Sequence, residues 1–418
     1  MKKIKLRSKE WFDNPKDPGL TAIYLERYLN YGLKRKDLQS GKPIIGIAQS
    51  GSDLSPCNRH ILDLSKNIKK GIVNAGGVPM EFPTHPIQET GKRPTAALDR
   101  NLSYLSLVEV LYGYPLDGVV LTTGCDKTTP AALMAAATVN IPSIILSGGP
   151  MLDGHYKGQK AGSGTIIWEA RKLYSKGEID YDQFMEMATA SSPSVGHCNT
   201  MGTASTMNSI AEALGMSLPG CAIIPAPYPE RKKISYKTGQ RIVNMVRENL
   251  TPSKIMTKQA FENAVVVASA IGGSSNATTH LLAIAKHMGI KFDLSNWQKL
   301  GHKIPLLVDC QPAGKYLMEG FYKAGGIPAV MKELIKNKKL NTKVKTVTGK
   351  NLGQNLKRKI KVNSKVIKTF KKNLSQNAGF LVLRGNFFNS AIMKTSVISD
   401  EFKKRYLSDR DRPNSFIC

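Results

Sequence analysis

The chain has 418 residues, 41% of them hydrophobic, which is enough for a sizeable core and for more than one domain. No uninterrupted apolar run approaches the roughly 20 residues of a membrane-spanning helix, so we expect no membrane segment. The 60 basic and 31 acidic residues give a net charge of +29, which is typical of polyanion-binding proteins and also of lysine-rich solvated surfaces.

The amino terminus and the cysteine usage both favour a cytoplasmic protein. The leading sequence MKKIKLRSKEWFDNP lacks the apolar stretch of a secretory signal peptide. The six cysteines are spread along the chain without the tight spacing of a disulfide framework, which suits a reducing compartment. We therefore expect the cysteines to act as free thiols.

Strand and helix patterns alternate along the first part of the chain. Short apolar runs predict strands at 43–49, 78–82, 116–123 and 142–146, and helical periodicity fills the segments between them. The residues predicted to face inward are Leu62, Ile68, Ile72 and Val73 in the first helix and Leu98, Leu102, Leu105 and Val108 in the second, at 95–112. This alternation predicts an α/β fold with a doubly wound, mostly parallel sheet.

The rest of the chain indicates a second domain. A helix is predicted at 204–216, and the lysine-rich segment 337–376 is interpreted as a linker or domain boundary. Beyond it, β-rich runs at 378–383 and 390–398 predict the start of a barrel-like unit. We divide the chain into an α/β domain at 1–374 and an incomplete β-rich domain at 375–418, because the latter is shorter than the ~50 residues of a small domain.

The positive charge is concentrated in one stretch. Residues 331–374 contain 15 lysines and arginines but a single acid, Glu333, and a single aromatic residue, Phe370. Proteins that bind single strands stack the bases on aromatic side chains, which are scarce here. We expect a solvated surface and no nucleic-acid partner, and we keep a polyanion-binding module without catalysis as the alternative.

Two thiols lie in loops that we expect to converge, and a further loop offers a third. Cys57 follows the first predicted strand, Cys125 follows the third, and Cys198 precedes the helix at 204–216. In open α/β sheets, ligands bind outside the carboxyl ends of the strands. Three thiolates from distant loops can hold an iron–sulfur cluster with an open iron position, or a catalytic zinc ion. The cysteines assigned to packing or inert positions are Cys221, Cys310 and Cys418.

Two carboxylates and two nitrogen-bearing side chains accompany these thiols. Glu89 and Asp126 are oxygen ligands suited to Mg²⁺, although a helix start or a helix cap explains them equally. A neutral Lys127 amine beside carboxylates can take up CO₂ as a carbamate and so become an anionic ligand. His197, next to Cys198, is either a donor supporting the thiolate or an ordinary loop histidine.

Three loops resemble the signature loops of the iron–sulfur dependent dihydroxy-acid and sugar-acid dehydratases. They are PCN at 56–58, GCDKTTPA at 124–131 and GHCNTMGTASTMN at 196–208. The leader LRSKEWFDNP and the segment HPIQETGKRPTAALDRNL resemble the pentonate branch, the arabinonate and xylonate dehydratases, more closely than the enzyme of branched-chain amino-acid synthesis.

The resemblance implies two metal centres and a reaction. The implied ligands are Cys57, Cys125 and Cys198 for a [2Fe-2S] cluster, and Glu89, Asp126 and a carbamylated Lys127 for Mg²⁺. The implied reaction converts a sugar acid such as arabinonate or xylonate into its 2-keto-3-deoxy acid. Dihydroxy-acid dehydration in branched-chain amino-acid synthesis is the alternative.

The resemblance also implies that part of the site lies beyond this sequence. In the family, the serine that removes the C2 proton and a further Mg²⁺-binding glutamate lie in a carboxyl-terminal domain that this chain barely begins. We therefore expect a carboxyl-terminally truncated member with no catalytic base of its own and little activity alone. The full-length form is expected to be a homo-oligomer.

Overall fold

The computed structural model describes residues 5–30, 32–88, 96–398 and 401–402. In these ranges the strands are β1 (Ile44–Gln49), β2 (Val78–Pro83), β3 (Gly118–Thr123), β4 (Ser143–Ser147), β5 (Gly154–Tyr156), β6 (Gln159–Ala161), β7 (Phe380–Leu383) and β8 (Ala391–Lys394). The first four form one parallel sheet in the order β2-β1-β3-β4. The predicted α/β fold and its parallel sheet are confirmed.

Helices surround this sheet. They are α1 (Lys9–Phe12), α2 (Pro18–Leu29), α3 (Arg35–Gln39), α4 (Ile61–Asn74), α5 (Ala96–Gly113), α6 (Thr128–Val139), α7 (Thr165–Ser175), α8 (Tyr181–Ala190), α9 (Thr203–Ala213), α10 (Pro229–Arg247), α11 (Pro252–Ile255), α12 (Lys258–Ala270), α13 (Asn276–His287), α14 (Leu294–Asn296), α15 (Met318–Lys323), α16 (Gly326–Lys336) and α17 (Leu352–Asn355). Within the described ranges, none of the helices has the length and apolar character needed to cross a membrane.

Burial on both faces explains why the apolar runs form parallel strands. Every residue of β1, β3 and β4 is buried, as expected for strands covered by helices on both sides. The edge strand β2 is only partly buried, and its sequence is correspondingly less apolar. Continuous apolar runs therefore identified the three most buried strands of the sheet.

The strand order reverses between β1 and β3. From β1 the chain passes through α4 to β2, and it then returns through α5 to β3 on the other side of β1. Helix α4 packs on β1, β2 and α10, whereas α6 packs on β3, β4 and α5. In doubly wound sheets, the crevice at such a reversal is the usual ligand site. The fold therefore predicts a ligand site at the loops after β1 and β3.

Two glycines allow α4 and α10 to pack with their backbones in contact. A Cβ atom at Gly71 would collide with the carbonyl oxygen of Tyr236, and a Cβ atom at Gly239 would collide with that of Ile68. Any larger residue at either position would force the two helices apart. This contact anchors α4, which begins just after the first cysteine loop.

The predicted inward face of α5 is wrong at three of its four positions, and the fourth residue, Val108, is half-buried and packs against the core. Leu98, Leu102 and Leu105 are 57%, 44% and 56% exposed, whereas Leu107 and Leu111 are buried. Apolar residues occur on all sides of this helix, so periodicity alone does not select the face that packs on α6. On α4, Ile68 and Ile72 are buried as predicted, but Val73 is exposed.

The interpretation of 337–376 as a linker is also wrong. Apolar residues of this segment are buried in the main core; they are Leu340, Val344, Val347, Leu352, Leu356, Val366 and Ile367. Lysines such as Lys343 and Lys357 between them remain exposed. The segment packs because its sparse apolar residues point inward while the lysines cover the outside, a pattern without regular periodicity.

The two β-rich runs pair as an antiparallel hairpin of β7 and β8. Its first residue, Phe380, is buried and packs edge-on against Trp297, with ring centroids 4.9 Å apart. The strands are therefore where the sequence predicted them. The domain division after residue 374 stays a prediction.

Candidate active site

The three cysteines predicted to bind a cluster all lie at the carboxyl edge of the sheet. Cys57 is in a 3₁₀ turn after β1, and Cys125 follows β3 after a single glycine. Cys198 precedes α9, and its loop joins the same edge through a bridge between Pro150 and His197. None of the three forms a disulfide with another described cysteine; Cys125 is buried and the other two are half-buried.

The structure brings these thiols and Asp126 together. A hydrogen bond with the Cys125 thiol lowers the pKa of Cys57, which favours the thiolate form that binds metals. Burial raises the pKa of Cys198, a hydrogen bond from Ser163 at 3.3 Å opposes this, and the charges of Cys57 and Asp126 raise it further. Such influences act over short distances, so the three loops meet at one place.

Asp126 and Lys127 lie at the start of α6, next to Cys125. They are 7% and 5% exposed, and the Cys125 thiol donates to Oδ1 of Asp126 at 3.4 Å. Lys127 occupies the N-cap position of α6 and makes no side-chain capping hydrogen bond, so the position of α6 does not favour the capping interpretation of Asp126. The third predicted Mg²⁺ ligand, Glu89, lies outside the described residues.

Buried asparagines hold the cysteine loops, and the sequence analysis did not single them out. Oδ1 of Asn58 accepts the backbone N–H of Cys125 at 3.0 Å, which ties the first loop to the second. Oδ1 of Asn199 accepts the N–H of Ser163 at 2.8 Å, next to Cys198. The sequence signal for these two residues is that an asparagine directly follows both Cys57 and Cys198. An asparagine side chain can bridge two backbone segments because it both donates and accepts hydrogen bonds.

Asn208 on α9 fastens the Cys125 loop from the other side. Its Oδ1 accepts from the hydroxyls of Thr123 and Thr129, both at 3.1 Å. Its Nδ2 donates to the carbonyl oxygens of Gly124 at 3.1 Å and Ala204 at 3.0 Å. All four hydrogen-bonding positions of this amide are therefore used, and the residue is 1% exposed.

Replacing Asn208 with leucine should lower the free energy of unfolding by about 2–4 kcal/mol, because buried partners lose their hydrogen bonds. Denaturant unfolding measures the change. The matched control is Asn244→Leu on the exposed side of α10, which should change stability by at most about 0.5 kcal/mol. Equal effects of the two substitutions would show that Asn208 does not fasten the loop.

Two histidines, the half-buried His60 and the buried His197, support the loop after β4. His60 Nε2 lies 2.8 Å from the carbonyl oxygen of Gly148, and His197 Nδ1 lies 3.1 Å from that of Cys198. Burial lowers the pKa of His60 to about 4 and that of His197 to about 3, so both rings are neutral near pH 7. His197 also exchanges backbone hydrogen bonds with Gly149 and Met151. It thus acts as a loop histidine beside Cys198.

A buried arginine bonds to the backbone at the end of β4. Arg231 is fully buried and donates to the carbonyl oxygens of Ser147 at 2.6 Å and Cys221 at 2.9 Å. Glu212 accepts two backbone N–H groups nearby, and burial raises its pKa to about 7. Cys221 and Cys310 are buried in the main core, as predicted for packing residues, and Cys418 lies outside the described residues.

The donor set fits the groups that the resemblance implies. Across the part of the chain that the structure describes, no three histidine, cysteine, aspartate or glutamate side chains are arranged around a single metal ion. The convergent thiols are the soft ligands that iron–sulfur clusters use, and the adjacent Asp126 is the hard ligand that Mg²⁺ uses. The edge thus offers sulfur ligands and oxygen ligands side by side.

Comparison with known proteins gives strong matches. Residues 42–355 match the family model described as "Dihydroxy-acid/6-phosphogluconate dehydratase N-terminal". The D-xylonate dehydratase of Caulobacter vibrioides is 57% identical over 412 residues, covering 99% of this chain and 69% of that protein. The L-arabinonate dehydratase of Rhizobium leguminosarum bv. trifolii is 45% identical over 396 residues, covering 94% and 68%.

More distant members match as well. The dihydroxy-acid dehydratase of Caldanaerobacter subterraneus subsp. tengcongensis is 38% identical over 381 residues, covering 90% of this chain and 68% of that protein. The family resemblance of the signature loops, and its narrowing to the pentonate branch, are therefore confirmed. The chain belongs to the dihydroxy-acid/6-phosphogluconate dehydratase family and is an enzyme of the dehydratase (hydro-lyase) class.

Proposed function

We propose that the protein dehydrates a pentonate, such as xylonate or arabinonate, to the 2-keto-3-deoxy acid with the help of a [2Fe-2S] cluster and Mg²⁺. The ligands in this proposal are Cys57, Cys125 and Cys198 for the cluster and Glu89, Asp126 and carbamylated Lys127 for Mg²⁺. The observation that carries the proposal is the meeting of three cysteine thiols and Asp126 at the reversal in strand order.

The choice of a sugar acid follows from the relatives. The protein named D-xylonate dehydratase is 57% identical to this chain, whereas the one named dihydroxy-acid dehydratase is 38% identical. We therefore favour a polyhydroxylated acid over the branched-chain dihydroxy acid as the substrate. The cytoplasmic location and the homo-oligomeric state stay predictions.

In the proposed reaction, the substrate loses the C2 proton and the C3 hydroxyl, and the resulting enol takes up a proton at C3 to become the 2-keto acid. When bound, the cluster and Mg²⁺ supply Lewis acidity for the departing hydroxyl and for the carboxylate. Asn58 and Asn208 hold the Cys125 loop rigid, so the ligands need little rearrangement. We place the C2 base outside the described residues, as the resemblance implies.

Carbamate formation converts Lys127 from a cation into an oxygen ligand. The neutral amine attacks the carbon of CO₂, one C–O π pair moves to oxygen, and the nitrogen releases one proton to solvent. The product carries one negative charge and two oxygen atoms. Beside the buried carboxylate of Asp126, such a group offers the oxygen donors that Mg²⁺ requires.

The test is anaerobic incubation with xylonate, arabinonate and 2,3-dihydroxyisovalerate, followed by detection of the 2-keto acid as its semicarbazone. The chain is assayed alone and with the unmatched part of the Caulobacter relative appended after Phe416. In D₂O, the pentonate product should carry one deuterium at C3, because the enol is protonated there. Turnover confined to dihydroxyisovalerate would favour the alternative substrate, and turnover of none by either protein would contradict the proposal.

The basic stretch 331–374 has its own test. Its exposed lysines alternate with residues buried in the core, which agrees with a solvated surface. Binding to a polyanion through these lysines would weaken steeply as salt rises. We expect heparin or single-stranded DNA to show no such salt-dependent binding at physiological ionic strength.

A further inference from the structure

The two ring nitrogens of His280 have different surroundings. This residue lies on α13 and is 3% exposed, and its Nδ1 is 3.0 Å from Nη1 of Arg100 on α5. Its Nε2 is buried and has no hydrogen-bond partner among the described residues. Helix α13 packs against α6, the helix that begins just after Lys127. Burial, with the charges of Lys127 and Arg100, lowers the pKa of His280 to about 3.

Arg100 fixes the tautomer of this imidazole. A guanidinium group only donates hydrogen bonds, so Nδ1 of His280 must accept and carries no proton. The single proton of the neutral ring is therefore on Nε2. Buried N–H groups in folded proteins almost always have an acceptor, because an unpaired donor is costly. An acceptor oxygen beside His280 would remove this cost.

A protonated Lys127 is not that acceptor, because an ammonium group also only donates. A carbamate on Lys127 differs from the ammonium group in its hydrogen-bonding atoms and in its charge. It has two acceptor oxygens, and its negative charge would be attracted by the guanidinium of Arg100, which contacts the same imidazole ring. The donor on His280 and the cation on Arg100 therefore complement a carbamate on Lys127.

We infer that His280 positions the carbamate of Lys127 by donating its Nε2–H to a carbamate oxygen, with Arg100 holding the imidazole in the required tautomer. The inference rests on the proposed function, from which it takes the carbamate. It makes His280 a positioning residue that supports a ligand of the metal site.

The test compares two conservative variants that separate the ring nitrogens. His280→Gln places an amide N–H near the position of Nε2, whereas His280→Asn reaches only the position of Nδ1. The measurement is the infrared band of the carbamate, recognised by its shift on exchange of ¹²C- for ¹³C-bicarbonate and titrated with bicarbonate. In the asparagine variant, we expect the bicarbonate concentration at half-saturation to be roughly tenfold higher than in the wild type. In the glutamine variant, it should lie within about threefold of the wild-type concentration.

A third variant tests the tautomer. Arg100→Met keeps the aliphatic stem of the side chain but removes the donor, so the two imidazole tautomers compete. We expect a smaller, several-fold increase in the bicarbonate needed. Circular dichroism would show whether His280→Asn fails to fold. Arg100→Met and His280→Gln would then still test whether His280 positions the carbamate.

Each outcome bears on the inference. Equal carbamate titrations in the wild-type protein and the asparagine variant would overturn it. In the form extended after Phe416, an intact carbamate with a raised KM for xylonate would also overturn it and would assign His280 to substrate binding. Dehydration of xylonate by the extended wild-type protein without any carbamate band would overturn it and leave the proposed reaction standing. Iron content and visible absorption, measured on the same samples, report separately on the cluster.

Discussion

Serine in place of Cys57, Cys125 or Cys198 should abolish or destabilise the [2Fe-2S] cluster. A serine hydroxyl is a harder and weaker ligand for iron than a thiolate, and these three thiols, which influence one another's pKa at the sheet edge, are the ligands proposed for the cluster. Anaerobically purified variants should lose the visible absorption, and the electron paramagnetic signal of the reduced protein. In the protein extended after Phe416, dehydration should fall roughly 10³-fold or more, since Lewis acidity contributes several kcal/mol to such reactions.

The matched control for these variants is Cys310→Ser. Cys310 is 1% exposed, and its thiol donates to the carbonyl oxygen of Leu317 at 3.8 Å, an interaction that a serine hydroxyl can replace. The control protein should keep the full iron content of the wild type. Stoichiometric zinc without iron in the anaerobically purified wild-type protein would contradict the cluster and favour a single zinc ion on the same thiols.

The sheet and the meeting of the three loops could be predicted because both depend on simple patterns. Strands buried on both faces must be continuously apolar, and parallel strands have their carboxyl ends at one edge. Cys57 and Cys125 follow two such strands, so their proximity followed from the strand assignment. The position of Cys198 depended on the resemblance of its loop, because the sequence before it has no predicted strand.

The errors arise where packing between distant segments decides the outcome. Helix α5 is apolar on all sides, so its buried face is set by the surface of α6 and not by its own periodicity. The segment 337–376 has few apolar residues, yet most of them are buried in the core. Irregular segments bury side chains without a repeating pattern, and no period in the sequence indicates this.

The polar interior could not be predicted at all from local sequence. Asn208 bonds to residues about 80 positions earlier, and His280 meets Arg100 from a distance of 180 positions in the sequence. Each residue alone fits an ordinary helix, and its role depends on partners that only the fold brings close. Such buried hydrogen-bonding groups are conspicuous in the structure because each requires a partner.

Lys127→Arg should weaken Mg²⁺ binding roughly 100-fold or more. Arginine keeps the positive charge but cannot form a carbamate, because its guanidinium stays protonated. The oxygen ligand proposed at this position is then lost, and even partners one shell further out affect metal affinity by 10–100-fold. Calorimetric titration of Mg²⁺ into the cluster-loaded protein measures the change, and dehydration should fall with it.

Removal of CO₂ distinguishes a lost ligand from a disturbed fold. Stripping bicarbonate should weaken Mg²⁺ binding to the wild-type protein and have no effect on Lys127→Arg, which has no carbamate to lose. The control Lys66→Arg changes a side chain that is 73% exposed, so it should alter stability by only a few tenths of a kcal/mol and respond to bicarbonate as the wild type does. Unaltered Mg²⁺ affinity in Lys127→Arg would refute the ligand role, and with it the reason for a donor at His280.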